Sequence, residues 1–302
     1  MAQATNVGFI GIGNMGRPMA ANLARAGVPL TIFDADPAQS ARFAGDHDCT
    51  VASSLAELGS AADIVITMLP TGPIVSAVVL GTDGDGLAGA LAEGSIIVDM
   101  SSSEPEGMRT LGAELDKRGI TLIDAPVSGG VPGAEAGTLA IMIGAADEAA
   151  VKRVEPFLNA MGKRLFRTGP LGSGHAMKAL NNYVAAAGFT AAAEALIIGE
   201  RFGLDRTVMV DVINNSSGRN FNTEHPIKDH VLPRSFAAGF KLGLMAKDVK
   251  IAGDLGEHLK VDAPLSRMVR ERWADALAAL GADQDFTRAI THWERSGESG
   301  AD

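Results

Sequence analysis

The 302-residue chain has a single cysteine, Cys49, so no intrachain disulfide can form and a reducing cytoplasm is the expected compartment. Clusters of histidine and cysteine are missing as well. His225 and His230 stand five apart around Pro226 without a companion ligand in the sequence, so no metal is expected. Positive charge is scarce. Against 36 Asp and Glu there are 26 Lys and Arg, a net −10, and the basic residues are scattered rather than striped, which argues against a nucleic-acid partner. An anionic substrate stays possible, because a local site can be positive on an acidic protein. The least charged stretch, between Lys178 and Glu194, spans 15 residues and includes two Asn, a Tyr and a Thr. It is too short and too polar for a membrane span and is expected to be a buried core helix. The first six residues lack the charged and apolar regions of a signal peptide and are expected to lead directly into a strand. There is no internal repeat and no low-complexity segment.

Apolar residues make up 46% of the chain and charged residues 21%, the balance of a soluble globular protein with room for two domains. The first half alternates β-rich runs with helical patterns, as a parallel sheet covered by helices does. Strands are expected at Val7–Ile10, Leu30–Phe33, Asp63–Leu69, Ser95–Met100 and Thr121–Asp124. Later, mixed-sheet strands are expected at Leu139–Ile143 and Arg164–Arg167, around a helix Asp147–Met161. Asn14–Ala26 reads as a helix, and Asp36 with Pro37 opens another. After Gly172-Ser173-Gly174 no strand is expected. Helical periodicity covers about 175–201, 205–215, 243–258 and 264–280, with a loop at 216–223 and Asp205 as an N-cap. A domain boundary is therefore placed near 168–172, with one domain over 1–168 and an all-α domain over 169–302. The run from Arg295 to Asp302 is expected to fray.

Gly11-x-Gly13-x-x-Gly16 follows the first strand and opens a helix, the context that makes this spacing a dinucleotide site. Gly11 permits the tight turn, Gly13 lets the backbone approach a pyrophosphate and Gly16 lets helix and strand pack closely. The pyrophosphate is expected on unpaired amides at the helix start, with Asn14 and Met15 in the same cradle. Asp34 ends the second strand 18 residues after Gly16, where a carboxylate binds both adenosine ribose hydroxyls and repels a 2′-phosphate. NAD is thus favoured over NADP. Met68-Leu69-Pro70 is placed on the adenine side, and Ser102, within Ser101-Ser102-Ser103, on the nicotinamide side.

A second glycine turn, Asp124-Ala125-Pro126-Val127-Ser128-Gly129-Gly130, combines a hydroxyl with two exposed amides, a nest suited to a carboxylate. Lys178 and Asn182 stand at i and i+4, so one helix face presents an ammonium beside a carboxamide. With the nucleotide fingerprint upstream, that pair reads as the acid/base half of a dehydrogenase.

These motifs, with Gly174-x-x-x-Lys178-x-x-x-Asn182 and Leu244-Met245-Ala246-Lys247-Asp248, occur in the order and spacing of the β-hydroxyacid dehydrogenases. The chain most resembles their 3-hydroxyisobutyrate dehydrogenase branch, over nearly its whole length. The resemblance implies an α/β Rossmann N-terminal domain and an all-α C-terminal domain of the 6-phosphogluconate dehydrogenase-like kind, with the active site in the cleft between them. It implies Lys178 as catalytic acid/base, with Ser128, Gly129, Gly130 and Asn182 on the substrate. It also places Lys247 on the cofactor–substrate cleft, with Asp248 orienting that lysine or capping a helix.

The expected reaction interconverts a short 3-hydroxy acid and its semialdehyde with NAD. The alternatives are an NAD(P)H-dependent reductase of tartronate semialdehyde, sulfolactaldehyde or 2-formylglutarate type, and a non-catalytic dinucleotide sensor, which Lys178 disfavours. The 6-phosphogluconate dehydrogenases carry a glutamate seven residues after the lysine. Here that position is Ala185, which disfavours a decarboxylating mechanism. Desolvation and Lys247 would each help to release the Lys178 proton. Arg219 would suit a second anionic group, and Phe240 an apolar wall. The sequence leaves that choice open. A homodimer or homotetramer is expected, because the Ala/Gly-rich helix and the α-domain need covering.

Overall fold

The computed structural model describes residues 5–81 and 86–295. Arg295 closes the last helix, and the remainder of the expected frayed tail, 296–302, lies outside the described residues.

Among the described residues, strands β1 (Val7–Ile10), β2 (Leu30–Phe33), β3 (Thr50–Val51), β4 (Ile64–Thr67), β5 (Ile96–Asp99), β6 (Thr121–Asp124), β7 (Val127–Ser128), β8 (Leu139–Gly144) and β9 (Gly162–Gly169) form one sheet. Its order is β3-β2-β1-β4-β5-β6-β8-β7, with β9 beside β8. The pairs from β3 to β6 are parallel, β8 is antiparallel to β6 and β7, and β9 is parallel to β8. The first six strands give the 3-2-1-4-5-6 order of a Rossmann fold, whose direction reverses between β1 and β4.

Helices α1 (Gly16–Arg25), α2 (Pro37–Asp46), α3 (Leu55–Ala61), α4 (Gly72–Leu80), α5 (Pro105–Asp116), α6 (Gly130–Ala136) and α7 (Glu148–Met161) cover the sheet. Asp36 caps α2 through Ala38 N–H, and Asp147 caps α7 through the amides of Ala149 and Ala150. Strand alternation separates two cores. Ile64, Ile66, Ile96 and Val98 pack with Met19 and Leu23 of α1 and Leu158 of α7. Val65 and Ile97 point the other way, to Leu58 of α3, Val75 of α4 and Leu111 of α5. Both faces are covered, which is why β1, β4 and β5 are apolar without interruption up to their last residues.

The second half contains α8 (Ser173–Phe202), α9 (Arg206–Asn214), α10 (Leu242–His258), α11 (Pro264–Leu280) and α12 (Ala289–Arg295). Asp205 caps α9 by accepting from Val208 N–H. The loop expected to close at 223 is followed by a π-helix, Thr223–Val231, stretched around Pro226. Packing divides the chain into two compact units, Met1–Lys178 and Ala179–Asp302, and the division falls inside α8.

One expectation is corrected. Counting residues between charges made the α8 run too short for a membrane, yet the helix is 30 residues long and, by length and composition alone, could cross one. What marks it as a core helix is its inner face. Ala186, Phe189, Ala193 and Leu196 are buried with Trp273, Phe286 and Trp293 in the core of the second unit. Phe189 meets the rings of Trp273, Phe286 and Trp293 at 5.8, 5.3 and 6.1 Å between centroids. The buried Trp273 indole donates from Nε1 to Thr190 Oγ1 at 3.0 Å.

Both tryptophans of the chain lie in this unit, so tryptophan fluorescence follows its unfolding. Thr190→Val leaves the Trp273 N–H buried and unbonded, which should cost about 1–3 kcal/mol. The urea midpoint read by fluorescence should fall accordingly, and an unchanged midpoint would refute the role given to this bond.

Candidate active site

The turn after β1 is built on close approach. Gly11, at φ +97°, places its Cα so that a side chain would meet Met68 O at 2.3 Å. A side chain on Gly16 would run into the carbonyl of Gly11 itself. Above Gly13 nothing lies within 4 Å of where a Cβ would stand. Two glycines are therefore needed for packing, and the third leaves the backbone bare toward open space, as a pyrophosphate cradle requires. Asn14 is exposed, Met15 is half-buried, and no side chain caps α1, whose Arg17 N–H is taken by Gly13 O at 2.9 Å, so the cradle would draw on the amides before Arg17. This turn sits where the strand order reverses, the place where open α/β sheets bind ligands.

Asp34 follows β2 and is half-buried. It accepts from Ile12 N–H at 2.6 Å and Asp36 N–H at 2.8 Å, which locks the carboxylate beside the glycine turn. Met68 and Leu69 follow β4 half-buried, and Pro70 is exposed. Leu69 N–H donates to Ser101 Oγ at 2.9 Å, tying this turn to the one that carries the half-buried Ser102. Ser128 ends β7 half-buried, while Gly129 (φ +135°) and Gly130 (φ +61°) are exposed at the start of α6, which no side chain caps. Their left-handed backbone is what suits glycine here.

Lys178 and Asn182 are both 8% exposed on α8. Burial on that scale is unusual for lysine and sets the pair apart from a solvated surface pair. Asn182 Nδ2 donates to the buried Asp248 Oδ2 at 2.5 Å and Oδ1 accepts from Asn181 at 3.1 Å, so the carboxamide orientation is set. Asp248 lies 4.0 Å from the ammonium of the half-buried Lys247. Its shorter bond is to Asn182, a partner that neither alternative for it had named. Arg219 stands apart from these groups in the chain. It is exposed, 3.7 Å from Glu224, and lines an open cavity of about 620 Å³ with Asn214, Asn215, Ser216 and Ser217. Phe240 is half-buried and stacks edge-on to Phe286 at 6.3 Å, inside the aromatic core.

Three buried residues were not singled out from the sequence. Asp99 and Asp124, both fully buried, end β5 and β6 and are register partners across that pair of strands. Asp99 accepts from Thr67 Oγ1 (2.7 Å), Ser103 Oγ (2.9 Å), Ser101 N–H (3.2 Å) and His175 Nε2 (3.1 Å). Asp124 accepts from Gly172 N–H (2.7 Å) and His175 N–H (2.8 Å). Burial disfavours the Asp99 charge, but the His175 bond and charge and the hydroxyl donors outweigh it and hold the carboxyl below its ordinary value. For Asp124 burial wins, only partly offset by His175 and the two amides, and the carboxyl is pushed up. The signal for Asp99 was an acid closing the apolar run Ser95–Met100, in a strand with no exposed face.

A family model described as the NAD binding domain of 6-phosphogluconate dehydrogenase matches residues 6–169. A second, described as NAD-binding of NADP-dependent 3-hydroxyisobutyrate dehydrogenase, matches residues 172–293. The 2-(hydroxymethyl)glutarate dehydrogenase of Eubacterium barkeri is 35% identical over 98% of this chain and 97% of its own. The mitochondrial 3-hydroxyisobutyrate dehydrogenase of Mus musculus is 37% identical over 97% of this chain and 88% of its own. Among solved structures, the Mycobacterium tuberculosis 3-hydroxyisobutyrate dehydrogenase with L-serine superposes with a TM-score of 0.87 at 36% identity, covering 96% of this chain and 99% of that one.

The two aspartates make opposite contributions to acid stability. Asp99, held below its unfolded value, contributes stability above about pH 4 that is lost as the pH falls through its folded value. Asp124, pushed above its unfolded value, favours folding at low pH and loses that contribution as the pH rises through its folded value. Asp99→Asn should therefore flatten the acid limb of stability between about pH 5 and pH 2, and Asp124→Asn should steepen it. Urea midpoints across that range measure this, and three superimposable acid limbs would contradict it.

Proposed function

The chain belongs to the β-hydroxyacid dehydrogenase family, in its 3-hydroxyisobutyrate dehydrogenase-like branch, and we propose on that premise that it interconverts a short 3-hydroxy acid and the matching semialdehyde. As a member of that family it is an oxidoreductase acting on CH–OH donors with NAD. The observation that carries the finer reading is the buried Lys178–Asn182 face on a helix whose first turn is bonded to the end of the nucleotide-binding sheet.

The chain's residues fit the dinucleotide. The amides from Gly13 to Gly16 would take the pyrophosphate, Asp34 the ribose hydroxyls, Met68-Leu69-Pro70 the adenine side, and Ser102 and Lys247 the nicotinamide side. Bound NAD supplies the hydride acceptor at the carbinol carbon, and NADH the donor in the reverse direction. Lys178, as the free amine, takes the substrate hydroxyl proton on Nζ as that carbon is oxidised. As the ammonium it polarises the carbonyl of the semialdehyde and returns the proton to the alkoxide oxygen. Asn182, its orientation fixed by Asp248, holds the reacting oxygen beside the lysine. Ser128 Oγ and the Gly129 and Gly130 amides hold the substrate carboxylate.

We place the enzyme in the cytoplasm as a homodimer or homotetramer. Supporting the assembly, Val184, Ile198, Phe202, Leu204, Val208 and Val212 on α8, α9 and the turn between them are exposed, at 49–84%. Apolar exposure on neighbouring helices at this density marks an interaction surface.

A panel of 3-hydroxy acids and semialdehydes, sulfonates included, assayed with NAD and NADP tests the reaction. Turnover of no member with either cofactor would overturn it. Lys178→Ala should lower kcat by roughly 10²–10⁴ while NAD affinity is kept, and wild-type turnover in that variant would remove the acid/base role. Asp34→Asn should weaken NAD and lessen the preference over NADP by about tenfold or more, since a charge-assisted bond to a ribose hydroxyl contributes about 1.5–3 kcal/mol. An unaltered ratio of kcat/KM for the two cofactors would show that Asp34 does not set the preference.

A further inference from the structure

The imidazole of His175 has no part in the chemistry above, yet it is 1% exposed and sits one helical turn before Lys178. With Asp99 held ionised, Nε2 is the donor in the bond to Oδ2. Nδ1 is buried with no partner among the described residues, so Asp99 is the side chain's sole polar anchor there.

That anchor is rigid. Thr67 at the end of β4, and Ser101 and Ser103 after β5, fill the other acceptor positions of Asp99, and a carboxylate offers about four in all. Ser101 in turn accepts from Leu69 N–H, on the turn assigned to the cofactor. The first turn of α8 is also pressed against the sheet. A Cβ on Gly174 would meet Met142 O at 2.3 Å and Asp124 Oδ2 at 2.8 Å. Close packing at Gly174 fixes the distance of the helix from the sheet, but a cylinder in contact can still roll. Backbone bonds from Gly172 and His175 N–H to Asp124 and the side-chain bond from His175 to Asp99 resist that roll, and of these three the last is the one a side-chain replacement removes.

We propose that His175 is a positioning residue for the acid/base step: by tying the first turn of α8 to Asp99, it sets the rotation of the helix that presents Lys178. The proposal rests on the acid/base reading of Lys178. Its leverage follows from helix geometry. A lysine nitrogen lies roughly 8 Å from the helix axis, so a roll of about 10° carries it more than about 1 Å. Misplacement on that scale costs up to about a hundredfold in rate. The bond runs to the same carboxylate that organises the Leu69 and Ser101 turns, so cofactor-side loops and lysine share one reference point.

The test compares three replacements in the full-length enzyme. Glutamine places its amide nitrogen near the position of Nε2, asparagine falls short of Asp99, and leucine has no donor. His175→Leu and His175→Asn should lower kcat by about 10–10²-fold. NADH affinity by fluorescence titration should stay within about twofold, and KM should change less than kcat. His175→Gln should restore kcat to within about fivefold of wild type. In a Lys178→Ala background, His175→Leu should add less than about twofold, because it acts through the lysine. If the leucine chain does not fold, the glutamine and asparagine pair decides. Wild-type kcat in His175→Asn, glutamine no better than asparagine, or an undiminished loss in the Lys178→Ala background would each overturn the proposal. A Lys178→Ala enzyme that turns over normally would instead sink the acid/base reading itself. A crippled Lys178→Ala beside unaffected His175 variants would sink only this inference.

Discussion

Two carboxylates facing each other across neighbouring parallel strands, in a sheet covered on both faces, are the constraint around which the first unit is arranged. Asp99 and Asp124 are register partners at the ends of β5 and β6, where adjacent strands run about 4.8 Å apart. Like charges that close, out of water, repel strongly and must be met by donors. The chain meets them with Thr67 at the end of β4, with Ser101 and Ser103 after β5, and with the backbone and ring of the segment that begins α8. Burial of the pair is tolerable only when that helix is in place. The charge problem and the placement of Lys178 are thus solved by one set of bonds.

The same economy governs the nucleotide turn. Gly11 and Gly16 are small because backbone passes against them at under 3 Å from a would-be Cβ, and Gly13 is small with nothing there at all. The contrast separates glycine for packing from glycine for a ligand. Asp34 joins the two functions. Its carboxylate closes the turn through Ile12 N–H and, in the proposed cofactor site, would also meet the ribose diol. A substitution there acts on loop geometry and on cofactor choice together.

The strands and capped helices of the nucleotide-binding unit were legible because their signals are local. Uninterrupted apolar runs, Asp36-Pro37 and Asp147 mark their own element boundaries. The mixed end of the sheet was also foreseen, with β8 reversed against β6. The short strand Thr50–Val51 and helix α6, seven residues long and opening Gly-Val-Pro-Gly, carry too little periodicity to be read. The π-helix at Thr223–Val231 has no sequence signature beyond a proline that ought to have ended it. For the site, Lys178 and Asn182 were visible from their i, i+4 spacing and the glycines from theirs. Asp99 and His175 were not, and Asp124 was visible only as the first residue of its motif, since their partnership joins residues up to 76 apart and depends on strand register. Asp248 was visible as a motif member, while its bond to Asn182, 66 residues away, needed the packing of α8 on α10.

Helix α8 is held by two different kinds of force along its length, and the chemistry sits where they meet. Its first turns are fixed by directional bonds to carboxylates, through Gly172, His175 and the close approach at Gly174. From Ala186 onward it is held by burial of Phe189, Ala193 and Leu196 among aromatic rings, an attraction with little directional preference. Hydrogen bonds define angle better than apolar contact does, because their strength falls steeply with misalignment. Of the residues on this face, His175, Lys178 and Asn182 at i, i+3 and i+7, the two with assigned roles in the reaction lie within two turns of the directional anchor. Asn182 carries a second such anchor in Asp248. A lysine placed ten residues further on would inherit its position from packing alone, with a correspondingly looser aim. With Lys178 as the proposed acid/base group, placing it beside the polar anchor, not within the apolar core, would let a long flexible side chain serve a reaction that tolerates little error in position.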